Sequence, residues 1–451
     1  MIINFKDLAR SPLREKALLI AEAGYGAIEI ESTVERRVKI ENEILKIRYP
    51  GSERNEAEVD LKDFKRIFLV GLGKGSGLAC SALAKILDKR LSRGIALDVN
   101  KLTTNNQQLT TLIGTHPLPS SANVFATQEI IKLAKSLTKN DLLLIFIGGG
   151  GSALGCASDK ERDASIFVIK ELTMAGADIF ELNTVRKHLS EFKGGGLTKI
   201  AHPARVIVLI ASDVLGDDLS MISSGPTVFD KTTKTDAERV LKKYGLNPFD
   251  FRLIETHKDE EYFTRVSNIL FACSQDAAVG MVKKTQELGF KGRIYSLKIK
   301  GEAKNSLLPL MEAAESGEVV IAAGETTVTL ETSDIRHQKF GKPFDAAQGK
   351  GGRNMEAVLG ALAQLTTNDR RLTTDMVFMS FASDGRDNTE AAGAIADCLT
   401  IERIRELKLR PEKFLDSHDT FRFFEKTGDL IFAEAKSFNV ADLMLVLRDL
   451  K

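Results

Sequence analysis

Three short runs without a polar side chain, each ending in a loop rich in glycine or acid, constrain this chain most. Residues 67–70 (Ile-Phe-Leu-Val) enter Gly71-Leu72-Gly73-Lys74-Gly75-Ser76-Gly77 and then an Ala/Leu-rich stretch to Leu87. Residues 142–147 enter Gly148, Gly149, Gly150, Gly151 and Ser152, and residues 206–210 end at Ser212-Asp213-Val214-Leu215-Gly216-Asp217-Asp218. Strands apolar on both faces belong to parallel sheets covered by helices, and a strand running through glycines into a helix is the βα unit of an open α/β sheet. Such sheets bind ligands at the carboxyl edge of the strands, where Lys74 falls. The pattern predicts a Rossmann-like parallel-sheet domain.

The loops narrow the chemistry. Gly71, Gly73, Gly75 and Gly77 alternate, with Ser76 where the last glycine of GxGxxG belongs, and GxxxxGK[ST] occurs nowhere in the chain, so neither a dinucleotide fingerprint nor a P-loop is present. Four glycines after an apolar strand leave backbone N–H groups bare, and Ser152 adds a hydroxyl, a combination suited to phosphate. Asn183, Arg186 or Lys187 and Ser190 share one face of a helix predicted over 183–191; the spacing by itself reads as a solvated polar face. Asp213 and Asp217 at a strand end suit Mg²⁺ or proton transfer. His116, beside Pro117, reads as a base or a structural loop histidine. Ser224 and Gly225 form another loop that welcomes an anion.

Later, Gly324-Glu325-Thr326 follows a strand at 319–322, and the alternation at 327–331 predicts a half-buried strand, hence a mixed sheet with an antiparallel part. Gly349-Lys350-Gly351-Gly352-Arg353-Asn354 precedes a helix. The glycines let backbone approach a ligand, while Lys350 and Arg353 put positive charge at a helix start. Asp384 and Asp387 lie in a loop after the apolar run 376–381.

With 451 residues, two domains are expected, 1–245 and 246–451, meeting at a cleft. Net charge is +1, from 63 basic and 62 acidic residues, giving no global field for nucleic acid or an anionic membrane. The four cysteines are far apart and read as small buried hydrophobes. No run reaches the ~18 apolar residues of a membrane span, so a soluble cytoplasmic protein is expected. Residues 102–111 and 365–374 differ only at their fifth to seventh places and are expected to be surface-loop insertions.

Taken in order, these motifs resemble the glycerate 2-kinase family, two-domain proteins with a C-terminal MOFRL motif that are often labelled hydroxypyruvate reductases. The resemblance runs from about residue 60 nearly to the end. It rests on Gly73-Lys74, His116-Pro117, 148–152, Asn183 with Arg186 and Ser190, 212–217, 224–227, 324–326, 349–354 with Glu356, and Asp384-Gly385 with 391–393. It implies ATP- and Mg²⁺-dependent phosphorylation of D-glycerate at the 2-hydroxyl, between a Rossmann-like domain and a smaller mixed α/β domain.

The resemblance further implies that Lys74, Arg353 and Asp213 are catalytic, with Arg353 gripping a carboxylate or phosphate bidentately. Gly73, Gly149, Gly150, Gly151, Ser152, Asn183, Arg186, Ser224, Gly225, Gly324, Glu325, Thr326, Lys350, Gly351, Gly352 and Asn354 would bind substrate or nucleotide. Asp217 and Asp384 would bind metal; which carboxylate is the base stays open. Met355 stands where Gln is expected, Asn388 where Gly is expected, and Ala433-Glu434-Ala435-Lys436 replaces a Gly-Pro-Thr-type turn. The stretch 340–348 is longer than the family pattern. An NAD(P)H-dependent hydroxypyruvate reductase and a non-catalytic nucleotide-binding relative are the competing readings, and pairing into a homodimer is left open.

Overall fold

The computed structural model describes residues 1–49, 56–102, 104–329, 349–367, 375–434 and 438–450. The chain forms two compact units, one of Ile30–Ala272 and one of Met1–Glu29 with Cys273–Lys451.

The first unit opens with a three-stranded antiparallel sheet of β1 (Val38–Glu41), β2 (Ile44–Arg48) and β3 (Glu56–Asp60). Its main sheet contains β4 (Arg66–Leu72), β5 (Leu91–Asp98), β6 (Leu109–Ile113), β7 (Asp141–Ile147), β8 (Arg205–Ala211) and β9 (Val266–Ala272), in the order β6-β5-β4-β7-β8-β9. Every neighbouring pair is parallel. The apolar runs therefore became central strands, with every residue of β7 buried. Strand order reverses between β4 and β7, where Leu72 faces Ile147. This is the doubly wound arrangement, and its ligand crevice opens at that reversal.

The boundary differs from the one expected at 245/246. The segment after 245 supplies β9, whose Val266 pairs with Val206 of β8, so the sheet closes only at Ala272. The first 29 residues join the other unit. There the Pro12–Ala27 helix, capped by Ser11, packs against the Ser274–Glu287 helix. A Cβ at Gly280 would lie 2.6 Å from the Ala27 Cβ, so glycine is what lets the two helices approach.

The second unit holds β10 (Lys291–Ile299), β11 (Glu318–Gly324), β12 (Met376–Ala382), β13 (Gly393–Ala396), β14 (Leu430–Ile431) and β15 (Asp442–Arg448), ordered β10-β11-β15-β12-β13-β14. Only the first pair is parallel, as the mixed-sheet reading requires. Of the strand expected at 327–331, Thr327 makes a single bridge to Glu302; residues 330 and 331 lie outside the described set. Nor are the two similar segments simply surface insertions. Leu109 pairs with Gly94 and begins β6, because the β-branched and apolar residues that follow suit a strand. Leu365–Thr367 ends the Arg353–Thr367 helix, and 368–374 lie outside the described residues. Among those described, no helix is long and apolar enough to cross a membrane.

Candidate active site

At the strand-order reversal the two glycine loops interlock through backbone. Gly148 N–H donates to Leu72 O (2.8 Å), and Lys74 N–H donates to Gly149 O (2.8 Å). A Cβ at Gly73 would sit 2.3 Å from Gly148 O, and one at Gly148 would sit 2.3 Å from Lys74 O. These two glycines serve strand-end packing. The next three serve side chains: a Cβ at Gly149 would meet Asp213 Oδ2 at 2.0 Å, at Gly150 the His116 Cδ2 at 2.9 Å, and at Gly151 the Ser223 Oγ at 2.2 Å. The glycine run thereby gathers Asp213, His116 and Ser223 beside Lys74, and the N–H groups of Gly149, Gly150 and Gly151 find no acceptor among the described residues.

A hydroxyl–amide chain extends this cluster. Ser152 Oγ lies 2.8 Å from Ser224 Oγ, Ser224 Oγ donates to Asn183 Oδ1 (2.9 Å), and Arg186 Nη1 donates to the same oxygen (3.4 Å). Ser223, Ser224 and Gly225 are all left-handed, with φ of 53°, 59° and 56°. Consecutive non-glycine residues in that region are costly and concentrate where structure serves function. Here Ser223 is held by donating to Gly148 O (2.7 Å), while the carbonyls of Ser224 and Gly225 accept from Gly194 and Gly195 N–H.

Electrostatically the cluster holds cations that no carboxylate among the described residues salt-bridges. The Arg186 Nε is buried without a hydrogen-bond partner, and burial lowers the guanidinium pKa to about 10. Burial, with the charges of Lys74 and Arg186, lowers His116 to about 4, so its imidazole is neutral at neutral pH. Among the described residues neither Lys74 nor Arg186 is salt-bridged. A buried donor left unmade is costly, and a carboxylate or phosphate is the partner a guanidinium fits best. The cluster therefore fits an anionic ligand or phosphate-bearing cofactor.

Other polar groups of the Ile179–His188 helix turn inward, against the solvated-face reading. Asn183, Lys187 and His188 are all buried; Lys187 pairs with Asp230 (3.2 Å), and His188 Nδ1 lies 2.8 Å from Ile254 O. This anchor fixes the helix that carries Asn183 and Arg186. Asp217 sits in a turn with φ of 56° and donates N–H to Val214 O. Among the described residues no group of three or more His, Cys, Asp or Glu is arranged to hold a metal. Mg²⁺ commonly needs only one or two carboxylates beside phosphate oxygens.

The second unit carries the other predicted residues. A Cβ at Gly349 would lie 2.2 Å from Ser417 O, at Gly351 2.2 Å from Thr420 Oγ1, and at Gly352 2.2 Å from Asp387 O. At these positions the protein's own neighbours stand where a Cβ would be. Gly324 likewise yields to Ile299 O, 2.1 Å from where its Cβ would be. Lys350 is occupied as well, 2.5 Å from Glu390 and 3.5 Å above the Phe421 ring.

Arg353 pairs with Asp442 (2.5 Å) and Glu325 (3.0 Å), and Thr326 Oγ1 is buried without a partner. Asn354 is buried and donates Nδ2 to Asp442 Oδ1 (2.8 Å) and Asp387 Oδ1 (3.3 Å). Burial, reinforced by Asp442, pushes Asp387 up to about 7, and burial pushes Asp442 up to about 6. Asp384 accepts Arg386 N–H (3.1 Å) and belongs to a different unit from Asp217.

The departures from the family pattern have local accounts. Asn388, where glycine is expected, has φ of 54°, a conformation asparagine tolerates better than most residues. Met355 is fully buried in the apolar core. Ala433 bridges Ile2, Glu434 N–H donates to Met1 O (3.0 Å), and 435–437 lie outside the described residues. Sequence reasoning put Asp387 with Asp384 in a candidate loop but gave Ser223 and Asp442 no role; the glycine at 151, opposite Ser223, was the available signal for the first of these two.

The chain resembles known proteins over most of its length. Residues 16–254 match a domain of unknown function (DUF4147), and residues 318–442 match the MOFRL family. A glycerate 2-kinase of Pyrococcus horikoshii is 32% identical, across 85% of this chain and 87% of its own. The D-glycerate 2-kinase of Thermotoga maritima is 30% identical, across 85% and 90%. A crystal structure of glycerate kinase from Thermotoga maritima superposes with a TM-score of 0.79 at 26% identity, covering 96% of this chain and 99% of that one. Likeness of this extent in sequence and fold shows that the chain belongs to the glycerate 2-kinase family.

Proposed function

We propose that the protein is a kinase that transfers the γ-phosphoryl group of ATP to the 2-hydroxyl of D-glycerate, giving 2-phosphoglycerate and ADP. The observation that carries this is the cation pair Lys74 and Arg186, unpaired by any carboxylate among the described residues and set beside a glycine loop with bare N–H groups. Phosphoryl transfer needs positioning and charge neutralisation above all. ATP supplies the transferred group, and Mg²⁺ supplies neutralising charge on its phosphates.

Within that reading Lys74 and Arg186 bind and neutralise anionic oxygens. Asp213, held against Gly149, accepts the proton of the substrate hydroxyl. Ser152 and Ser224 orient the ligand by hydrogen bonds. Asp217 and Asp384 are each proposed as Mg²⁺ ligands, and Arg353 as a cation that binds an anionic group of substrate or nucleotide. Hydride transfer has no comparable support, because the glycines of 71–77 do not form the dinucleotide fingerprint. A cytoplasmic location goes with ATP as co-substrate.

Removing either cation tests the assignment. Lys74→Ala and Arg186→Ala should each lower kcat/KM for D-glycerate on the order of 10²-fold, as loss of a preorganised charge-stabilising donor does. Wild-type kinetics in either variant would take that residue out of the mechanism.

A further inference from the structure

Arg353 stands at the end of a buried polar chain that the phosphotransfer reading leaves without a role. Its Nε lies 2.5 Å from Asp442 Oδ2, and its Nη2 lies 3.4 Å from Asp442 Oδ1. Exposure is 28% for the Arg353 side chain and 1% for that of Asp442, so Asp442 grips the cation from its buried side, while Nη1 donates to the half-exposed Glu325 (3.0 Å). Asp442 Oδ1 accepts from Asn354 Nδ2 (2.8 Å), which also donates to Asp387 Oδ1 (3.3 Å). Asn354 Oδ1 accepts from Ser380 Oγ (2.6 Å), and Asp387 Oδ2 accepts the Met355 N–H (2.9 Å). The base of this chain is rigid. Asp442 begins β15, paired across the sheet with Gly324 on one side and Ala382 on the other, and Ser380 lies within β12.

We propose that Asp442 is the positioning residue of Arg353, and that Asn354, itself held by Ser380 and Asp387, fixes Asp442 so that Arg353 presents one orientation to an anionic group of the substrate or nucleotide. A free arginine side chain loses much rotamer entropy when it grips a ligand, and a preformed clamp removes that cost before binding. Catalysis then depends on the clamp's geometry, since a displacement of about 1 Å at a reacting group costs on the order of 10²-fold in rate. One cation facing Asp442 and Glu325 is an excess of carboxylate, and the raised proton affinity of the buried Asp442 offsets it.

This inference rests on the kinase reading, and a double-mutant cycle separates the two. Asp442→Asn keeps the side-chain shape and removes the charge that grips Arg353. With D-glycerate and ATP·Mg²⁺, Asp442→Asn and Arg353→Ala should each lower kcat/KM on the order of 10²-fold, and the double variant should be no slower than Arg353→Ala alone. Whichever KM rises more, that for D-glycerate or that for ATP, identifies the anionic group Arg353 grips. Losses that multiply in the double variant, or an Asp442→Asn enzyme with unchanged kinetics, would overturn the positioning role while leaving the kinase reading intact.

Should Asp442→Asn not fold, Ser380→Ala carries the same test. It removes only the hydroxyl that orients Asn354, and its loss of activity should vanish in the Arg353→Ala background; a loss that persists there would overturn the proposal. A wild-type protein without turnover would overturn the kinase reading instead. The clamp would then be tested in melting temperature, where independent losses from Arg353→Ala and Asp442→Asn would overturn it and a shared loss would uphold it.

Discussion

Gly148 and Gly149 are neighbours with different duties, and alanine at each should separate stability from catalysis. At Gly148 the new Cβ meets the backbone oxygen of Lys74 at 2.3 Å, and backbone cannot step aside without moving a strand end. We expect Gly148→Ala to cost ~1–3 kcal/mol, the usual cost of overpacking, seen as a lower midpoint in chemical denaturation. At Gly149 the obstacle is the tip of Asp213, 2.0 Å away, which can rotate. Gly149→Ala should therefore fold nearly as well as the wild type, yet turn over on the order of 10²-fold more slowly because Asp213 is displaced. Full activity in Gly149→Ala would remove Asp213 from the chemistry.

Single residues were unevenly legible in the sequence. Lys74 and the 148–152 loop stood out because a strand ending in glycines has few other uses. Arg353 stood out by its charge at a helix start, but the sequence could not tell what its glycine neighbours make room for. A positive φ or a close approach marks a glycine equally well whether the neighbour is a ligand or, as at Gly352, the protein's own Asp387.

Among elements, the Pro12–Ala27 helix shows what pattern alone omits. Its apolar residues suit a helix, yet nothing local tells that it packs in the C-terminal unit. The reason is a buried Arg14 that donates Nε and Nη2 to Asp397 (2.7 and 2.8 Å) and Nη1 to Asp429 (2.8 Å), partners more than 380 positions away along the chain. Arg14→Ala leaves two buried carboxylates without this counter-ion and should destabilise the protein by ~3–5 kcal/mol, measured by denaturant unfolding. A loss below about 1 kcal/mol, the range of a surface pair, would contradict the burial. The Ile179–His188 helix makes the same point: its polar residues resembled a solvated face until Asp230 supplied a buried partner.

For the whole molecule, the parallel doubly wound sheet was readable because each central strand is apolar on both faces and ends in its own signal. The unit boundary was not, because β9 is an edge strand whose burial is partial and whose sequence carries Ser267 and Asn268 among its apolar residues. Family membership makes phosphorylation of D-glycerate the central claim, and the cations at the strand-order reversal, unpaired by any carboxylate among the described residues, give it a physical basis. The most direct test incubates the purified protein with D-glycerate, ATP and Mg²⁺, follows ADP release and identifies the phosphorylated acid. The account predicts one 2-phosphoglycerate formed for each ADP. Phosphate on the 3-hydroxyl, or NADH oxidation with hydroxypyruvate and no ADP from glycerate, would contradict it.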